Sequence, residues 1–244
     1  MADAHRAASP SQAERGLISR GFTAIAKIFL WLLVALVASI VIEWVGMTWK
    51  WPMDGIVHSR RLLAAEAAAL ASHFDRHLLV RAPAVFGAQV GERLSDFIFE
   101  RANLNEVIAW STAPPLAGQS TFRIRLRRLA NALSKYLIAT QQVVQLFGTR
   151  LSVLILALPT MMVCGAAAVI DGLVRRDVRR WRGGRESGFV YHWIKDVAMP
   201  LCVTPWFAYL VAPISLPPSG VIFCGVLVFS LLMTAIAGTF KKYL

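Results

Sequence analysis

Residues 151–170 read LSVLILALPTMMVCGAAAVI, and residues 171–185 read DGLVRRDVRRWRGGR. The first stretch is twenty residues without a charge, and the second carries six arginines between positions 175 and 185. About twenty apolar residues in helical form cross the hydrocarbon core of a bilayer. Arginines packed directly behind such a run stay on the cytoplasmic side. This junction therefore sets both the class of the protein and its orientation.

Two further uncharged runs follow, residues 197–216 and 221–240, separated by the uncharged turn Pro217-Pro218-Ser219-Gly220. Upstream, residues 28–42 form a shorter uncharged run between Lys27 and Glu43, with Trp31, Trp44, Trp49 and Trp51 around it. A snorkelling lysine and an interfacial tryptophan belt extend that run to a full span. The sequence after it, Val41-Ile42-Glu43-Trp44-Val45, offers no small-residue cleavage site, so it reads as an uncleaved anchor. The composition agrees. Hydrophobic residues make up 57%, charged residues 16%, mean hydropathy is +0.56 and net charge is +12. Soluble domains hold about a quarter charged residues. Intrinsic disorder, a coiled-coil fibre, a disulfide scaffold and a purely soluble nucleic-acid binder are excluded. Cys164, Cys202 and Cys224 all fall in apolar runs and are expected as free thiols.

The fold expected is an all-α integral membrane protein with four transmembrane helices and a helical extracytoplasmic domain between spans one and two. The boundaries read as a cytoplasmic tail over 1–26, spans over 27–46, 151–170, 197–216 and 221–240, an extracytoplasmic segment over 47–150, and a cytoplasmic loop over 171–196. Four spans put both termini on one side. Arg6, Arg15, Arg20 and Lys27 before the first span, the arginines of the loop, and Lys241 and Lys242 in the tail place that side in the cytoplasm. The segment 43–150 also holds 13 Lys+Arg, but long loops cross largely regardless of charge. Pro200, Pro205 and Pro213 should kink the third span and Pro159 should bend the second. Small residues at spacing four (Ala35 and Ser39; Ala168 and Gly172; Ser230, Thr234 and Gly238) permit close helix approach.

Residues 55–149 read as helices. Leu63, Ala67, Leu70, Phe74 and Leu78 share one face, and Phe86, Val90, Leu94, Phe97 and Ile98 form the next stripe. Phe122, Leu126, Leu129, Leu133, Tyr136 and Thr140 form a heptad-like third. Pro83 and the run 113–118 (APPLAG) separate them. The third has no internal proline or glycine before Gly148, so it can continue into the second span.

Chemistry-bearing patterns are sparse. His73 and His77 stand at i, i+4, but Phe74 occupies the position where a zinc protease needs glutamate. Ser187 and His192 lack a nucleophile elbow, and Gly183-Gly184 lacks the rest of a phosphate loop. The expectation is no enzyme, no catalytic residue, no metal and no cofactor. Arg123, Arg125, Arg127 and Arg128 form a solvated face without aromatic stacking partners, so direct nucleic-acid binding is not expected. Arg175, Arg176, Arg179 and Arg180 suit membrane lipids or an acidic partner.

The cytoplasmic loop ends in GRESGFVYHWIK, residues 184–195. A glycine pair fixes the turn, Ser187 can cap the next helix, and Arg185, Glu186, Tyr191 and His192 offer directional polar groups for docking a protein. This run resembles the GRESxFVYH signature of the integrating conjugative element membrane protein family, a domain of unknown function. The chain is similar to that family over most of residues 20–244: an early anchor, a long helical loop, a second span, an Arg-rich turn and two closing spans. Trp193 stands where a second histidine often follows in the family. The resemblance implies a bacterial inner-membrane protein of a conjugative type IV secretion system, associated with a TraD-like coupling ATPase. A non-catalytic scaffold or adaptor is the reading that follows. The alternative is a small transporter or channel-like protein, disfavoured by the lack of charge in spans two to four.

Overall fold

A computed structural model describes residues 11–52, 54–73, 80–112, 121–182 and 188–239. These residues form seven α-helices and one π-helical turn, with no strand among them. They are α1 (Ser11–Val45, continued by the π turn Gly46–Lys50), α2 (Ile56–His73), α3 (Pro83–Arg101), α4 (Leu104–Thr112), α5 (Thr121–Trp181), α6 (Gly188–Val211) and α7 (Pro218–Thr239).

The organising element is α5. Its 61 residues run about 90 Å at 1.5 Å per residue. The helix of the 121–149 region does continue into the apolar run 151–170, and Pro159 lies within it without ending it. Helices α2, α3 and α4 pack along the first half of α5, and α7 packs along the second. Helix α1 lies against α5 and α6. Three helical stretches are long and apolar enough to cross a membrane: Phe22–Lys50, Leu133–Trp181 and Pro218–Thr239. A shorter apolar stretch, Val197–Val211, occupies most of α6.

The expected helix over 197–216 stops at Val211. Pro200 and Pro205 are accommodated inside it, but Pro213 is not. A proline disfavours helical conformation in the residue before it and clashes with the carbonyl four residues back. Residues 212–217 therefore leave the helix, and α7 restarts at Pro218, a residue suited to a helical first turn.

The core gathers around the middle of α5. Ala35, Phe147, Leu210 and Val211 form one buried cluster. Leu70, Val153, Leu156 and Tyr209 form another. Two expected faces differ from those found. On α2 the buried residues are Ser59, Leu62, Glu66 and Leu70, while Ala67 is exposed. Phe74 and Leu78 lie outside the described residues. On α3 the buried face is Gly87, Gly91, Ser95 and Phe99, and Phe97 is 61% exposed. On α3 the reason is proximity. A Cβ on Gly148 would stand 2.6 Å from Gly91 Cα, and one on Gly91 would stand 2.5 Å from the Gln145 carbonyl oxygen. Backbones that close select the stripe with the least side chain, so the large apolar residues flank the seam.

The small residues of the spans pack within the chain. A Cβ on Gly172 would meet the Thr234 carbonyl oxygen at 2.6 Å. Thr234 Oγ1 donates to the Ala168 carbonyl at 3.2 Å, and Ala35 and Ser39 are buried. Cys164, Cys202 and Cys224 are unpaired, on α5, α6 and α7 respectively.

Candidate functional site

Where α2, α5 and the end of α6 meet, two opposite charges are fully buried. Glu66 and Arg150 are both 0% exposed, and Arg150 Nε stands 3.3 Å from Glu66 Oε1. Arg150 immediately precedes the uncharged run 151–170. Glu66 lies in the alanine-rich middle of α2.

The guanidinium also serves the end of α6. A helix leaves its last carbonyls without intrahelical donors, and Pro213 cannot donate to any of them. Arg150 Nη1 donates to the Ala212 carbonyl at 2.6 Å and to that of Leu210 at 3.4 Å. Nη2 donates to the Ile214 carbonyl at 2.7 Å. A cation at a helix C-terminus also opposes the negative end of the helix dipole. The carboxylate is equally well supplied. Tyr209 Oη donates to Glu66 Oε1 at 2.6 Å, and Ser215 Oγ donates to Oε2 at 3.1 Å. The Tyr209 ring lies 5.3 Å from the guanidinium carbon, within cation–π range. Burying an ion pair is costly unless the remaining donors and lone pairs are met. Here the charges cancel and every bond crosses between elements far apart in sequence, so the cluster acts as a lock.

A second polar group joins α1 to the same region. Glu43 is 3% exposed, and both its oxygens lie within reach of His58 Nδ1, at 3.1 and 3.2 Å. The His58 ring stacks on Trp51 with centroids 4.0 Å apart. The π turn brings Trp51 back over Gly46, where any Cβ would collide with the indole. Ser59 Oγ donates to Gln142 Oε1 at 2.6 Å, and Trp44 Nε1 donates to Thr140 Oγ1 at 3.0 Å.

The residues singled out from sequence lie elsewhere. Arg175, Arg176, Arg179 and Arg180 occupy the last turns of α5. Arg175 Nε pairs with Asp171 at 2.8 Å, and Arg176 Nη2 pairs with Asp177 at 3.3 Å. Arg185 and Glu186 lie outside the described residues. Tyr191 and His192 fall in the first turns of α6, and their side chains also lie outside the described set. Tyr191 and Tyr209 are at opposite ends of α6, about 27 Å apart along the helix, so the loop motif and the buried lock are separate. His77 and Ser187 are likewise not described. Among the described residues no group of three or more His, Cys, Asp or Glu is placed to hold a metal.

Sequence reading missed Glu66, Arg150, Tyr209 and Ser215. One signal was present: an arginine directly abutting an uncharged span needs a partner or a route to water. Its partner lies 84 residues away, which no local pattern announces.

No curated protein and no solved structure matches this chain. The family model for IncC plasmid conjugative DNA transfer protein DtrJ-like matches residues 50–241, which takes in the Glu66–Arg150 lock, the Arg-rich turn and the closing helices. The chain therefore belongs to the DtrJ-like family of conjugative DNA transfer proteins.

Proposed function

We propose that this protein is a non-catalytic inner-membrane component of a conjugative type IV secretion system, a scaffold or adaptor near a TraD-like coupling ATPase. It crosses the membrane four times, with α6 as the third span and both termini cytoplasmic. Helices α2–α4 and the first half of α5 form the extracytoplasmic part. The observation that carries the reading is α5, which joins the packing of α2–α4 to the arginines of its last turns in one uninterrupted helix. Such a rod suits a part that links machinery on two sides of a membrane. The loop residues Arg185, Glu186, Tyr191 and His192 would dock the cytoplasmic partner, and Arg175, Arg176, Arg179 and Arg180 would contact lipid or acidic protein.

The alternative is a small transporter or channel-like protein. The buried ionisable pair Glu66–Arg150 beside a span is the observation in its favour. The pair is enclosed and hydrogen-bonded throughout, which fits a lock better than an ion path.

Co-purification of the full chain from conjugating cells separates the two. Recovery of a coupling ATPase, lost in Tyr191→Phe and His192→Gln at unchanged membrane level, is expected for the adaptor. Ion flux from the purified protein in liposomes, with no partner recovered, would favour the transporter. A periplasm-active reporter should work at Ala113 and fail at Gly183; the reverse would overturn the topology and the cytoplasmic docking with it.

A further inference from the structure

The arginine cluster at the end of α5 is not uniform. Arg176 and Asp177 pair with each other, one fifth and three fifths exposed respectively. Arg175 and Arg179, one turn apart, instead line a groove of about 610 Å³ between α5 and α7. Arg175 Nε holds Asp171 at 2.8 Å, which uses one edge of its guanidinium. Arg179 reaches over Gly238, with one Nη 3.8 Å from where a Cβ on that glycine would stand. It has no acidic partner among the described residues.

Towards the bilayer interior the same groove turns apolar. Cys164, Ala167 and Ala168 on α5 face Leu227, Leu231 and Ala235 on α7. Small residues on α5 create the trough. In its wall, Ser230 Oγ is buried without a hydrogen-bond partner. From Cys164 to Arg179 the groove measures roughly 22 Å along the helix. A hydrocarbon leaflet is about 15 Å thick, so one end lies at headgroup depth and the rest beside acyl chains. Charge at one end and apolar lining along one leaflet's length match an amphiphile with an anionic head.

We propose that the α5–α7 groove is a seat for one anionic phospholipid, its phosphate held by Arg175 and Arg179 and one acyl chain lying along Ala167 and Leu231. A planar guanidinium matches phosphate oxygens in a fork that lysine cannot reproduce. Asp171 also lines the groove and takes the Nε edge of Arg175, so the phosphate is met by the other edge of Arg175 and by Arg179. The inference rests on the chain crossing the membrane as proposed above, with this end at the headgroups.

The test is native mass spectrometry of the full-length detergent-solubilised protein, titrated with phosphatidylglycerol or with phosphatidylcholine of the same chains. One phosphatidylglycerol should be retained in preference to phosphatidylcholine. Arg175→Gln with Arg179→Gln should weaken retention at least tenfold. Ala167→Phe, which fills the trough and leaves the charges, should do the same, while Arg182→Gln, at an exposed position outside the groove, should not. Helical circular dichroism checks that each variant is folded; all four changed positions are surface positions outside the core clusters. Equal retention of the two lipids, unchanged retention in Ala167→Phe, or an equal loss in Arg182→Gln would overturn the site. Displacement of the lipid by inorganic phosphate alone would overturn it in favour of a free-anion site. Retention is read without transfer or orientation. A variant that keeps its lipid and loses transfer therefore bears on the adaptor reading, and one that loses lipid selectivity bears on this one.

Discussion

Two of the seams along α5 hold their helices by opposite means. Near Arg150, α2 and the end of α6 are joined through a buried ion pair with five further hydrogen bonds. Near Gly172, α7 is held through the near absence of side chain, with Gly172, Thr234 and Gly238 letting backbones touch. The first seam is specific because a charge without its partner is costly. The second is specific because only small residues fit. Apolar helices in lipid gain little from hydrophobic association, so packing shape and polar bonds must supply the choice of partner. This chain uses both at the middle of α5, where the Gly91–Gly148 contact lies beside Arg150, and close packing again at Gly172.

The largest effect should come from breaking the lock on its cationic side. Arg150→Met leaves a buried carboxylate unpaired and the carbonyls of Leu210, Ala212 and Ile214 without a donor. It should cost about 3–5 kcal/mol, read by denaturant or thermal unfolding in detergent. Adding Glu66→Leu should recover part of the loss and not all, because the α6 carbonyls stay unsatisfied. Full recovery would show that the ion pair alone matters.

Removing one bond from the lock tests how much it depends on completeness. Tyr209→Phe deletes a hydrogen bond to a buried carboxylate, and about 1.5–3 kcal/mol should be lost. An unchanged melting temperature would mean that Ser215 and Arg150 suffice.

The seam of small residues should respond to bulk instead of charge. Gly172→Ala places a methyl against the Thr234 backbone and should cost about 1–3 kcal/mol. Gly220→Ala, where the nearest atom is 3.5 Å away on Pro217, is the matched control and should cost far less. Equal effects would dissolve the distinction between the two seams.

The smallest effect belongs to the exposed arginines. Arg175 is 68% exposed and its partner Asp171 is 48% exposed, and such pairs contribute about 0–1 kcal/mol. Arg175→Gln should leave unfolding almost unchanged. A large loss would move this arginine from the lipid-facing surface into the stabilising framework.

The apolar helices were readable because each is a contiguous property of the chain. Residues 151–170 and 221–240 carry no charge, and a helix satisfies its own backbone wherever it is placed. The continuation of α5 through position 150 was readable for the same reason, since nothing between Thr121 and Gly148 breaks a helix. Pro213 was read as a kink and ended the helix instead. Whether a freed carbonyl is tolerated depends on a donor from elsewhere, and here Arg150 supplies it. The face of α3 was misread because hydrophobic periodicity favours the large residues, whereas backbone contact with Gly148 favours Gly87, Gly91 and Ser95.

Read along the chain, the residues establish that the protein is helical, apolar enough to enter a membrane, and dense in arginine directly behind the apolar run 151–170, with six between positions 175 and 185. The chain also carries, in residues 184–195, the resemblance to a conjugation-associated family. It took helix packing to bring Glu66 and Arg150 together, to complete them with Tyr209 and Ser215, and to set two of the four loop-side arginines along a groove while a third pairs with its neighbour. The reason is the range of the forces concerned. Transfer into lipid sums over neighbouring residues in the chain, so it can be read along one dimension. An ion pair or a backbone contact depends on distances of a few ångströms between residues 60 to 150 positions apart, and those distances exist only once the helices have packed.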